Sequence, residues 1–207
     1  MKEFRHCLSG GEYVKRQMTI GEYRSIDLSL FAVMLIVSET VIINAATKWF
    51  PGEAYTVSVV AAITAIVMMR WGAWAAVHAV IGGFVFVLVS GGTARQYVIY
   101  CIGNLFSLGA LGLLRLWGSE PTREDKLKSL AFAFAVQVLM QFGRGAVSQI
   151  FGTKLSEAVG FVTTDALSIL FTLVIIWISR RLDGVFENQK HYLLRLNKER
   201  EEGKGGL

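Results

Sequence analysis

Asn104, Gln141, Arg144 and Asp165 interrupt apolar stretches that are otherwise long enough to cross a membrane. Together they offer a guanidinium, a carboxylate and two amides. That set suits a polar or zwitterionic solute, and it contains no nucleophile paired with a base. A charged side chain at the centre of a spanning helix costs about 2.5–3.5 kcal/mol even on lenient scales. Groups placed there need a ligand or each other.

Each of these residues belongs to a stripe at helical spacing. Tyr97, Tyr100, Asn104 and Ser107 follow i, i+3, i+7, i+10. Gln137, Gln141, Arg144 and Ser148 follow i, i+4, i+7, i+11. Asp165, Ser168 and Thr172 follow i, i+3, i+7, with Thr164 beside them, and Thr40, Asn44 and Lys48 follow i, i+4, i+8, with Glu39 one step round. Residues at such spacing share one face of a helix. Four stripes on four stretches predict one common interior.

Depth follows from the helical rise of about 1.5 Å per residue. Asn104, Arg144 and Asp165 fall roughly 10–12 Å below the outer ends of their stretches, and Gln141 near 15 Å. Glu39 falls near mid-membrane. The spacing therefore predicts an outward-facing pocket lined by Glu39, Asn44, Tyr97, Tyr100, Asn104, Gln141, Arg144, Thr164 and Asp165. The glycine-containing loop at 90–93 lies above it as a lid. Trp49 reads as an interface anchor or a cap on the pocket. A plainer reading uses the same residues: Arg144 and Asp165 as a structural ion pair, the amides as interhelical hydrogen bonds worth about 0.6 kcal/mol each.

The elements that must position these residues are six apolar stretches, at 28–48, 54–69, 72–90, 96–115, 127–151 and 158–179. A spanning helix needs about 20 such residues. The chain is 53% hydrophobic and only 18% charged, against roughly 25% charged for a soluble domain. The expected fold is an all-α integral membrane protein of six transmembrane helices. It divides into a cytoplasmic segment at 1–26, a membrane domain at 27–180 and a cytoplasmic amphipathic tail at 181–207. Only Arg70 and Trp71 separate the second and third stretches, which predicts a tight hairpin. In the tail, Val185, Phe186, Tyr192, Leu193 and Leu196 form an apolar stripe suited to a short helix.

Of the 21 lysines and arginines, 17 fall on segments that share one side of this arrangement, so both termini are expected in the cytoplasm. The same distribution argues against nucleic acid, because the net charge of +5 flanks apolar stretches and lines no soluble face. About 26 mostly polar residues precede the first apolar run, which predicts a retained helix in place of a cleaved signal. Cys7 and Cys101 lack metal spacing, and His6, His78 and His191 are scattered. His78 reads as a packed histidine. No HExxH, P-loop or GxSxG pattern is present, so neither enzyme activity nor a metal or other cofactor is expected.

Three stretches carry a family resemblance: YRSIDLSLFAVMLIVSETVIINAATKWFP, RWGAWAAVHAVIGGFVFVLVSGGTARQY and TTDALSILFTLVIIWISRRLDGVFENQKHYLLRL. Over residues 20–196 the chain resembles the S component of an energy-coupling-factor (ECF) transporter. That resemblance implies a multi-pass protein of the bacterial plasma membrane that captures a vitamin or similar micronutrient. Its partners would be the solute, a membrane coupling protein and two ATPase subunits, which hydrolyse ATP elsewhere. The family commonly presents an Ala-x-x-x-Ala motif to the coupling protein from its first helix. Here Ser25 and Ser29 stand in that register, and the small residues Ala75, Ala79 and Gly83 of the third stretch are the rival docking face. The alternative is a stand-alone small secondary transporter or channel.

Overall fold

The structure is a computed structural model that describes residues 19–49, 51, 57–154, 159–160, 165–182, 185–189 and 191–195. Among these residues all regular structure is helical. Helix α1 runs Ile20–Trp49, α2 Val60–Trp71, α3 Ala75–Val89 and α4 Ala94–Leu105. A 3-10 turn at Phe106–Ala110 leads into α5, Leu111–Trp117, followed by α6, Ser119–Glu124, α7, Lys126–Ile150, and α8, Ala166–Ser179. Four continuous helical stretches, Ile20–Trp49, Val60–Val89, Ala94–Trp117 and Lys126–Ile150, are long and apolar enough to cross a membrane. They mark a membrane-embedded protein.

The stretch Val60–Val89 is continuous but not straight. A straight helix would put Gly82 about 33 Å from Val60. Instead a Cβ added at Gly82 would run into the Val60 side chain. The reversal occurs at Gly72, whose φ of +63° is open to glycine and strained for any other residue. A single 3-10 turn, Gly72–Trp74, then starts α3 back along α2.

Helix α2 is the centre of the bundle. It packs against α1, α3, α7 and α8, and every residue from Val60 to Trp71 is buried. Its sequence is apolar all round apart from Thr64 and Arg70, as a helix with no solvent or lipid face should be. Helix α1 is peripheral: only Leu35, Glu39 and Ile43 are buried along its 30 residues.

The two ends of the bundle differ in chemistry. At one end Arg70 clamps Asp27 through Nε and Nη2, at 2.9 and 2.8 Å. Trp71 Nε1 donates to the same carboxylate at 2.6 Å, and Arg70 Nη1 donates to the Val185 carbonyl at 3.0 Å. Arg123 Nη2 donates to the Met69 carbonyl and Arg180 Nη2 to the Glu124 carbonyl, both at 2.6 Å. The tail is docked here as well, with Phe186 in the core and the Tyr23 hydroxyl donating to Gln189 Oε1 at 3.2 Å. The opposite end holds the turn at 90–93 and the end of α7, where Arg95 meets Thr153 and Phe151.

Candidate functional site

Close backbone contact between α4 and α7 creates the site. A Cβ at Gly103 would lie 2.7 Å from the backbone N and Cα of Arg144. One at Gly143 would run into the Gly103 carbonyl and, at 2.6 Å, into Phe106. Small residues let membrane helices approach this closely. Because Asn104 follows Gly103 and Arg144 follows Gly143, the two polar side chains meet where the helices touch.

Arg144 is the hub. Its Nε donates to Asn104 Oδ1 at 2.8 Å. Its Nη1 donates to Asp165 Oδ2 at 3.3 Å and to Gln141 Oε1 at 3.4 Å. The guanidinium lies over the Tyr100 ring, 4.6 Å from its centroid, and Tyr100 in turn stacks on Phe86 with ring centroids 4.7 Å apart. Asn104 completes its own set by donating from Nδ2 to the Ala79 carbonyl at 2.9 Å.

Asp165 stands at the N-terminal boundary of α8, where the helix dipole favours its negative charge. It accepts from Gln137 Nε2 at 3.0 Å, from Arg144 and from the Ser168 hydroxyl. Thr172 donates to Gln137 Oε1 at 3.4 Å, which extends the network one turn along α8. Asn104, Gln137, Gln141, Arg144 and Asp165 are each at most 4% exposed, so the cluster is closed in this arrangement.

Glu39 enters from α1 and is wholly buried. Its Oε2 accepts from the Val59 backbone N–H at 2.9 Å, and the neighbouring Ser58 N–H donates to Ser168 Oγ at 2.9 Å. Residues 58–59 are the lead-in to α2, with Val59 at its N-terminal boundary. The first N–H groups of a helix have no intrahelical partner. Here the N–H of the boundary residue Val59 is held from outside by Glu39, and that of Ser58 just before it by Asp165 through Ser168. Arg144 and Asp165 both act electrostatically on Glu39, and the Ser58 hydroxyl lies beside it.

Two carboxylates and one guanidinium therefore share the interior. An ionised carboxylate in hydrocarbon costs about 2.5–3.5 kcal/mol. A hydrogen bond to a charged group returns about 1.5–3 kcal/mol, and a helix N-terminus about 0.3–1. Asp165 has three donors, one of them a cation, which offset that cost. Glu39 has fewer, and its Oε1 has no hydrogen-bond partner among the described residues. Gln141 Nε2 is likewise buried and unpartnered. Each such group costs about 1–3 kcal/mol until something meets it. The cluster carries one spare acceptor and one spare donor.

Several expected site residues fall elsewhere. Asn44 is exposed and donates to the Thr40 carbonyl of its own helix at 2.8 Å. The inward face of α1 is Leu35, Glu39 and Ile43, so the stripe of Thr40, Asn44 and Lys48 is turned about 100° away from it. Tyr97 is half-buried against Phe84, with ring centroids 5.2 Å apart. Thr164 lies outside the described residues. Trp49 is 76% exposed and caps nothing in the cluster. The loop at 90–93 is a capped turn and not a loose lid: Gly92 N–H donates to the Val87 carbonyl at 2.8 Å and Thr93 N–H to Gln96 Oε1 at 2.6 Å.

The two candidate docking faces also separate. Ala75 and Ala79 are wholly buried, and a Cβ at Gly83 would lie 2.8 Å from the Tyr100 backbone. These three residues seat α3 inside the bundle and present no outer face. Ser25 and Ser29 are exposed along α1, in a shallow apolar groove with Ile26, Leu30, Val33 and Met34. His78 is packed, its Nε2 3.0 Å from the Leu28 carbonyl.

Six participants were not among the expected site residues: Gly103, Gly143, Ser58, Gln137, Ser168 and Thr172, the last three lying on the polar stripes already noted. The glycines had a legible signal, since each directly precedes a buried polar residue. Ser58 had none, because its role is carried by its backbone N–H. No family model, characterised protein or solved structure matches this chain.

Proposed function

We propose that this chain is a six-pass membrane protein that captures a small polar or zwitterionic solute at the cluster around Arg144. In this reading the six passes are α1, α2, α3, the stretch Ala94–Trp117, α7 and the apolar stretch at 158–179 that contains α8. Both termini are cytoplasmic, and the end bearing Arg70, Arg123 and Arg180 faces the cytoplasm. The observation that carries the reading is convergence. Glu39, Tyr100, Asn104, Gln141, Arg144 and Asp165 come from three helices and the boundary of a fourth to one interior layer, with a donor and an acceptor still unmet among the described residues. A ligand that opened the layer would take over the long Arg144 contacts to Asp165 and Gln141, at 3.3 and 3.4 Å, before the short one to Asn104.

The sequence resemblance supplies the transport context. It makes this chain the substrate-capture subunit of an ECF-type importer for a vitamin or micronutrient. Uptake then depends on a coupling protein and two ATPases, and the exposed register of Ser25 and Ser29 is the docking face. Closure of the cluster favours a second reading, in which Arg144 and Asp165 only hold helices together. Native mass spectrometry of the protein purified in mild detergent separates the two. A single retained small molecule, absent from a variant carrying Arg144→Met with Asp165→Leu, supports capture. An empty spectrum from wild type together with a clear loss of stability in that variant supports the structural reading.

A further inference from the structure

The two acids of the central cluster are provided for unequally. Asp165 receives Arg144, Gln137 and Ser168. Glu39 receives one backbone N–H on one oxygen, with the Ser58 hydroxyl beside it, and its other oxygen has no hydrogen-bond partner among the described residues. The charged and titratable groups around it are few. Arg144 of α7 and Asp165 at α8 act on it with opposite sign, and Arg144 is already paired with Asp165 beneath the Tyr100 ring of α4. On α2 the one charged residue, Arg70, is bound to Asp27 at the end of the bundle. On α3, His78 lies against Leu28, about 16 Å along α1 from Glu39. Among the described residues no cation is left for a second buried carboxylate.

We propose that Glu39 is a proton-binding site, occupied while residues 58–59 are seated against α1 and vacated when they leave it. A proton is the one positive charge that needs no cavity, which fits a residue with no exposed surface. When the lead-in to α2 moves away, water reaches the carboxyl. Its O–H bond then breaks, the proton passes to solvent and the carboxylate remains. If the cluster opens to admit solute, capture releases one proton. That coupling rests on the proposed solute site; the protonation of Glu39 does not.

The test uses the full-length protein in detergent with no solute added. Infrared spectra at neutral pH should contain the carbonyl band of a protonated carboxyl group. The band should shift when glutamate is labelled with carbon-13 and stay in place when aspartate is labelled. Absence of a glutamate band overturns the proposal, whatever any variant does. Thermal unfolding gives the second arm. The folded state holds a proton that the unfolded chain releases above about pH 4.3, so stability falls as pH rises. The melting temperature should drop by about 3–5 °C per pH unit above about pH 5, until the folded protein also releases the proton. Glu39→Gln carries a neutral group at every pH, and it should lose this slope and melt above wild type at about pH 8. Equal slopes in both proteins overturn the proposal. So does a melting temperature that rises with sodium at fixed pH in wild type alone, because the occupant is then a metal cation.

Discussion

Arg70 and Arg144 are both held by a carboxylate, but in different ways. Arg70 grips Asp27 with two parallel bonds of 2.8 and 2.9 Å, and its third nitrogen reaches the Val185 carbonyl. Trp71 completes the same carboxylate. A planar fork on a carboxylate is the strongest geometry available to arginine. Arg144 touches Asp165 through one nitrogen at 3.3 Å and shares that nitrogen with Gln141 at 3.4 Å. The first arrangement is a finished joint at the end of the bundle. The second is a looser network deep in the interior, beside a donor and an acceptor unmet among the described residues. Long contacts and spare valence are what a ligand can exchange for; a closed fork offers nothing to exchange.

The comparison breaks first at the joint. Asp27→Ala leaves Arg70 largely buried without its partner, and such a loss costs about 3 kcal/mol. The expected result is a clear fall in melting temperature in detergent, together with release of the tail, read as faster proteolysis between Leu182 and Gln189. A smaller effect is expected where α4 and α7 touch. Gly143→Ala places a methyl against the Gly103 carbonyl, and overpacking of this kind costs about 1–3 kcal/mol. It also separates Asn104 from Arg144, so retained solute should fall more than stability does. Mass spectrometry alongside thermal unfolding measures both.

The smallest effect on stability sharpens the contrast. Replacing both Arg144→Met and Asp165→Leu exchanges a loosely paired ion pair for apolar groups of similar volume. Such exchanges are often neutral for the pair itself. The groups left behind, Asn104, Gln137, Gln141 and Ser168, each both donate and accept and can pair with one another. The melting temperature should therefore imply a change within about 1 kcal/mol. The same treatment of Arg70 and Asp27 should cost more, since Trp71 and the Val185 carbonyl would lose their partners too. Equal costs at the two sites would show that the central cluster is a joint like the other.

The sequence revealed most of the central cluster because its polar residues repeat at helical spacing within apolar stretches. Gln137, Gln141, Arg144 and Ser148 are all buried, as their common face predicts. The phase of α1 was not legible. That helix is nearly uniformly apolar, so its few polar residues gave two rival faces, and Thr40 and Asn44 outnumbered Glu39. The tight reversal between the second and third stretches was legible from their spacing, and the structure locates it at Gly72. The looseness assigned to 90–93 was misjudged. Glycine suggests freedom, but Thr93 and Gln96 form a capping box that closes the turn. What holds 58–59 was invisible, because backbone N–H groups leave no mark in a sequence.

The reversal at Gly72 bears on how the chain reaches the membrane. Helix α2 has 12 residues and rises only about 18 Å, well short of the roughly 30 Å hydrocarbon thickness. None of its faces is built for lipid, since all of them are buried. During synthesis such a segment is a poor candidate to enter the bilayer alone and wait there for company. With α3 following after one 3-10 turn, the two legs can enter as a single hairpin. Biogenesis then depends on the left-handed glycine, and a substitution at Gly72 would appear as a shortage of inserted protein before it appeared as a defect in any that matured.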